Sequence, residues 1–298
     1  MLKIVEKKKI WFTISILIIV IGFGFMFTKG MNFGIDFRGG TQVVINMGKD
    51  FNKTDVDKIV DEYSKDAVTN QVNGTELQIK AKELNTTQVN DIFKALKEKY
   101  DLKDDALVSQ NEIGASVGRD LTTNAIVALV IAVIGMLIYV IIRFEFSFGI
   151  AAIIALLHDV LITISVYAVF GITINTPFIA AILTIVGYSI NDTIVIFDRI
   201  RENRKKLRGK SVEEIADISI TQTMSRSINT TVTTLITIVC VYIFVPTVRD
   251  FAFPLIVGIA SGACSSIFIA SPIWCMITNK QKRKKQEISN SIKMLKIL

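Results

Sequence analysis

Histidine is almost absent from this sequence, and cysteine is scarce. His158 is the only histidine in 298 residues, and the three cysteines are Cys240, Cys264 and Cys275. A metal site or a hydrolase triad built on histidine would have to use that one residue. All three cysteines fall in apolar runs. The polar part of the chain therefore has no disulfide framework, and no CxxC or Cys/His metal pattern occurs anywhere. Neither a metal nor a cofactor is expected. A leader cleavage site is missing too. Lys3, Lys7, Lys8 and Lys9 precede an apolar core, Ile10 to Phe27, but Thr28-Lys29-Gly30 offers no small-x-small site. That segment reads as a retained anchor. No short internal repeat is present, so if the helices are half of a larger symmetric unit, the other half lies on another chain.

Long apolar runs dominate what is present. The composition is 51% hydrophobic, with a mean hydropathy of +0.48. A membrane span needs roughly 20 mostly apolar residues. Six segments qualify, at about Ile10–Phe27, Thr122–Ile142, Phe146–Phe170, Pro177–Phe197, Thr223–Val245 and Phe253–Ile277. The net charge of +7 would suggest nucleic acid in a soluble protein. Here the basic residues gather at the ends of apolar runs, in the N-terminus, Arg199–Lys210 and the tail Lys280–Lys285, with Arg143 on the same side. The positive-inside rule makes that side cytoplasmic, with both termini there and no nucleic-acid partner.

The expected fold class is a membrane all-α bundle of six transmembrane helices with an inserted extracytoplasmic α+β domain. Four parts follow: the cytoplasmic N-terminus and first helix over 1–27, the extracytoplasmic domain over 28–121, helices two to six over 122–277 with a cytoplasmic loop over 198–222, and a basic cytoplasmic tail over 278–298. Within the inserted domain, Thr41–Asn46 reads as a strand and Thr54–Val60 as a helix start with Thr54 as N-cap. Ala67–Val72 and Glu76–Lys80 flank Asn73-Gly74, a hairpin signal. Thr86–Tyr100 is amphipathic, with Val89, Ile92, Phe93 and Leu96 on one face, and Ala106–Gln110 is a last strand. The order βαββαβ suggests a ferredoxin-like domain.

Ionisable residues inside spans are costly, so they mark candidate functional positions. These are His158 and Asp159 on helix three, Asp192 on helix four and Arg226 on helix five. At ~1.5 Å per residue, Asp192 and Arg226 lie roughly 5–8 Å from the inner surface, and Asp159 roughly 18–20 Å. Asp192 and Arg226 are thus expected to share a level, where an ion pair of variable length would switch proton affinity. Polar stripes extend each charge: Thr163 and Tyr167 beyond Asp159, Thr184 and Tyr188 before Asp192, and Thr230, Thr233 and Thr237 beyond Arg226. Asn191 and Asn229 flank them, and a staggered polar pathway is expected. The bland alternatives are a static Asp192–Arg226 pair, an arginine that snorkels to the surface, a buried hydrogen-bonding His158, and threonines bonded to their own helix. Gly258, Ala260, Ser261, Gly262 and Ala263 form a small-residue face expected to serve packing alone.

Three motifs resemble the SecD/SecF family of the RND superfamily. They are Gly34-Ile35-Asp36-Phe37-Arg38-Gly39-Gly40, the segment Gly187–Arg199 containing Asn191-Asp192-Thr193, and Ser225-Arg226-Ser227-Ile228-Asn229-Thr230-Thr231. The second is long and favours the SecF branch. The resemblance implies a non-enzymatic, multi-pass protein of the cytoplasmic (inner) membrane that pairs with SecD into a twelve-helix unit. It implies association with the SecYEG channel and the SecA motor, contact with translocating unfolded polypeptide and with membrane lipid, and export driven by the proton or sodium motive force. It places ion coupling at Asp192 and Arg226, with Asp159 and His158 less directly implicated, and the signature loop at Gly34, Asp36, Arg38, Gly39 and Gly40. Two rivals remain. An exporter of small molecules or lipids in the same superfamily usually carries both halves on one chain. A diaspartyl intramembrane protease would need Asp159 and Asp192 apposed.

Overall fold

The computed structural model describes residues 3–72 and 74–295. Asn73 of the expected hairpin turn lies outside them. The chain forms two compact units, one of Phe33–Ile126 with Thr173–Thr176 and one of Met1–Asn32, Val127–Ile172 and Pro177–Leu298.

The smaller unit is built on an antiparallel sheet of β1 (Gly40–Asn46), β2 (Val68–Val72), β3 (Glu76–Ala81) and β4 (Leu107–Ile113), in the order β2-β3-β1-β4. Two amphipathic helices, numbered below with the rest of the chain, connect the strands. In chain order the helices are α1 (Lys8–Lys29), α2 (Ile35–Arg38), α3 (Lys53–Tyr63), α4 (Thr86–Tyr100), α5 (Ala115–Arg143), α6 (Phe146–Phe170), α7 (Thr176–Lys206), α8 (Val212–Phe244), α9 (Arg249–Ser265) and α10 (Ser271–Leu295), with a π-helical turn Ser266–Ala270 between the last two. Strand period two sends Val43, Ile45, Leu77 and Ile79 inward, where they meet Val56 and Val60 of α3 and Val89, Ile92 and Leu96 of α4. The N-cap of α3 is Asn52, not Thr54: its side chain accepts the Thr54 amide at 3.0 Å. Asn caps as well as Thr, and a cap two residues earlier starts the helix two residues sooner, at Lys53. Asn85 and Gln88 close a capping box on α4.

The signature loop folds as the single turn α2 followed by two glycines of positive φ, Gly39 at 73° and Gly40 at 120°. A Cβ on Gly40 would lie 2.4 Å from the Ala81 carbonyl oxygen, so the entry to β1 admits only glycine. Asp36 Oδ2 accepts the Thr176 amide at 2.7 Å, satisfying one of the open N–H groups at the start of α7.

Among the described residues, six helices are long and apolar enough to cross a membrane: α1, α5, α6, α7, α8 and the run from Pro246 through α10. They make this a multi-pass membrane protein. The middle of α6, α7 and the last run is well buried within the bundle, whereas α1, α5 and α8 turn most of their apolar side chains outward. Segment 198–222 is not a loop. It is the end of α7, a turn over 207–211 and the start of α8. Its charges pair at helical spacing, Arg199 with Glu202 at 2.7 Å and Lys206 with Glu202 at 2.5 Å. Ser211 and Glu214 then form a capping box that starts α8. The tail likewise continues α10 as helix to Leu295.

Small residues bring the central helices close. A Cβ on Gly258 would sit 2.2 Å from Ile185, and one on Gly262 would sit 2.9 Å from Ser189. At one end, Trp274 stacks on Phe148 with centroids 4.9 Å apart, and Phe148 also meets Phe197 at 4.8 Å.

Candidate functional site

The spans bring the polar groups into two clusters rather than one path. The deeper cluster centres on Asp159, in the middle of α6 and fully buried. A carboxylate has about four lone-pair positions. Here Oδ2 accepts from Ser189 at 2.6 Å and Ser265 at 2.8 Å, and Oδ1 accepts from Ser261 at 2.9 Å with His158 Nδ1 at 3.1 Å. All four positions are filled. With Asp159 as a carboxylate, which only accepts, the facing His158 nitrogen is assigned as the donor. The other ring nitrogen, Nε2, lies 2.9 Å from Ser15 Oγ on α1. Thr163 turns back to the Asp159 carbonyl at 2.8 Å. The π turn lets two consecutive hydroxyls face inward: Ser265 reaches Asp159, and Ser266 meets Thr193 at 2.7 Å.

Three of these donors went unrecognised in the sequence. Serine in a helix carries no periodic signal, and Ser189, Ser261 and Ser265 lie 30, 102 and 106 residues from Asp159. The small-residue face of α9 is therefore not packing alone. Gly258 and Gly262 do give the close approach, but Ser261 on the same face hydrogen-bonds Asp159.

The second cluster joins α7 to α8. Asp192 is half-buried, and its Oδ1 accepts from Ser227 at 2.8 Å. Its Oδ2 is buried with no hydrogen-bond partner among the described residues. Arg226 precedes Ser227, so it stands within one residue's rise of the Asp192 level, about 1.5 Å. The two do not form an ion pair: no salt bridge joins them among the described residues, and the Arg226 side chain is exposed. Ser227 occupies the place expected of the arginine. Four residues before Asp192, Tyr188 donates to Thr234 Oγ1 at 2.9 Å, with the Thr230 carbonyl 3.2 Å away.

The stripe on α8, with Asn229, Thr230, Thr233 and Thr237, is exposed rather than enclosed. Its threonines donate to their own helix, Thr230 to Arg226, Thr233 to Asn229 at 2.9 Å and Thr237 to Thr233 at 3.1 Å. Thr184 does the same with Ala180 at 2.8 Å, and Thr184 and Asn191 are exposed. Their hydroxyl protons are used, while oxygen lone pairs remain free. Asp159 and Asp192 share no hydrogen-bond partner among these contacts.

Six apolar spans arranged around a central buried carboxylate define a multi-pass membrane protein. The family model for the protein export membrane protein SecD/SecF, C-terminal, matches residues 92–280, and the SecD/SecF GG motif matches residues 24–50. The SecF protein translocase subunit of Sebaldella termitidis is 39% identical over 294 residues, covering 96% of this chain and 95% of that protein. The SecF of Petrotoga mobilis is 36% identical over 296 residues, covering 94% and 97%. A crystal structure of SecDF from Thermus thermophilus, a translocon-associated membrane protein, superposes with TM-score 0.85 at 33% identity over 93% of this chain and 39% of that one. The present chain thus spans about two fifths of that SecDF. The chain belongs to the SecD/SecF family of protein-export membrane proteins.

Proposed function

We propose that this chain works as a SecF-type subunit of the Sec protein-export machinery, promoting passage of secreted polypeptides across the cytoplasmic membrane. The match to SecF subunits along nearly the full length of both chains supports this reading. The fused SecDF relative supports pairing with SecD, and through it association with the SecYEG channel, SecA and the moving polypeptide. The basic ends Lys7–Lys9, Arg204–Lys210 and Lys280–Lys284 support an orientation with both termini cytoplasmic. Residues 28–121 are then extracytoplasmic, and we read their antiparallel sheet as ferredoxin-like.

The coupling step uses the proton or sodium motive force at Asp192 and Arg226. One observation carries it: Asp192 Oδ2 is buried and unpartnered beside an arginine that is not bonded to it. An ion arriving at Oδ2 completes the carboxylate, and an approach of the Arg226 guanidinium competes with that ion. Movement of α8 against α7 would exchange the two states. His158 and Asp159, already saturated, act as a fixed polar centre between α6, α7 and α9.

The test is export of a secreted reporter in cells depleted of the native protein and complemented with Asp192→Asn or Arg226→Ala. Both variants should reach wild-type membrane levels and leave the reporter precursor unprocessed. Full export with either variant would remove the pair from the mechanism.

A further inference from the structure

One cavity at the basic end of the helical unit has no part in the reading above, and depends on it only for the chain being membrane-embedded. It has a volume of about 340 Å³ and lies between the α7–α8 turn and the start of α10's tail. Four cations line it: Arg204 from α7, Arg208 and Lys210 from the turn, and Lys282 from α10. No carboxylate is among its lining residues. Arg204 is shared with Glu145 at 2.9 Å, but Arg208, Lys210 and Lys282 have no ion pair among the described residues. The acids in the first turn of α8 are engaged elsewhere: Glu214 accepts from the Ser211 amide, and Glu213 accepts from Asn279 at 2.5 Å.

Three unpaired cations held around one cavity repel each other unless an anion joins them. The floor adds a second observation. Trp274 lines the cavity, is fully buried, and its indole N–H has no hydrogen-bond partner among the described residues. A buried orphan donor is uncommon, and this one belongs to a residue that lines the cavity. The level is fixed by the ion pair of Arg204 with Glu145, since Glu145 sits in the short turn where α5 ends and α6 begins. That turn marks the membrane surface, where lipid headgroups lie. Val212 and Ile215 supply an apolar wall beside the cations.

We propose that this cavity binds the phosphate of an anionic phospholipid headgroup. The phosphate oxygens take the guanidinium of Arg208 and the ammonium groups of Lys210 and Lys282, and the acyl chains run along the apolar wall. A free phosphate offers the same oxyanion without the acyl chains, and the experiment separates the two.

The full chain carrying Trp11→Phe leaves Trp274 as the only tryptophan. Its fluorescence is followed in detergent while brominated phosphatidylglycerol or brominated phosphatidylcholine is added. Quenching by phosphatidylglycerol should be stronger by about tenfold in apparent affinity, as expected for two or more cations near a headgroup. R208Q/K210Q/K282Q should lose that preference. K280Q/R283Q/K284Q removes the same charge outside the cavity and should keep it, as should the charge-conserving R208K/K210R/K282R, which also checks that the site folds. Equal quenching by the two lipids, or an undiminished preference in the glutamine triple variant, overturns the proposal. Abolition of the preference by millimolar inorganic phosphate assigns the cavity to a soluble anion and overturns it as well.

Discussion

A buried and a half-buried aspartate in one bundle, Asp159 and Asp192, illustrate how hydrogen-bond supply sets a residue's role. Asp159 has four donors for four lone-pair positions, whereas Asp192 has one donor and one bare oxygen. Replacing Asp159 with alanine strips three serines and His158 of their acceptor, and should cost about 2–3 kcal/mol. Asparagine keeps one acceptor oxygen, and serine hydroxyls can rotate to accept from its amide, so Asp159→Asn should cost less. Melting temperatures of the purified variants in detergent check the order; an equal loss would mean that the cage is not what holds Asp159. In the soluble-facing unit, Ser64's hydroxyl and the Lys82 amide hold the Asp66 carboxyl below the usual carboxylate range. A depressed folded value means a contribution that is present above the unfolded value of about 4 and lost as pH falls through the folded one. Asp66→Asn should therefore speed hydrogen exchange at the Lys82 amide near neutral pH, and the gap to wild type should close on acidification.

At the level of elements, the contact of α7 with α9 depends on missing side chains. Gly258 leaves room for Ile185, whose Cδ1 would lie 2.2 Å from an added Cβ. Gly258→Ala should destabilise the bundle by about 1–3 kcal/mol through overpacking. Adding Ile185→Ala should recover part of that loss, because the three nearest atoms to the added Cβ all belong to that side chain; a melting temperature no higher in the double variant than in Gly258→Ala would exclude this account. The same closeness places Ser189 beside Gly262 and so within reach of Asp159. Packing glycines and polar cage are one arrangement, which explains why a small-residue stripe read in isolation conceals its hydroxyls.

At the scale of the whole molecule, the outward face of α8 carries polar side chains that a lipid-facing span does not favour. Arg226, Asn229, Thr233 and Thr237 stand exposed on a helix apolar enough to span a membrane. Polar side chains facing hydrocarbon are disfavoured, and they settle against another polar surface or water-filled space. If SecD supplies that surface, a cysteine at Thr233, in a chain whose native cysteines are replaced, should react with a membrane-permeant maleimide several-fold more slowly when SecD is co-expressed. Unchanged labelling would place the SecD contact on another span.

Much of this was legible in the chain itself. Apolar run length determined six spans. Period two and period 3.6 gave the strands and helices of the inserted unit, with α4 and α6 matching the expected residues from end to end. The segment expected as a loop at 198–222 is mostly helix, because a polar, charged stretch has the same composition in a helical extension as in a loop. What the sequence could not reveal was which polar group meets which. Asp159 is caged by serines from two other spans, and Asp192 meets Ser227 where Arg226 was expected. Spans are determined by local apolarity, which is additive along the chain; hydrogen bonds between helices depend on rotation and approach, which only the packed bundle decides.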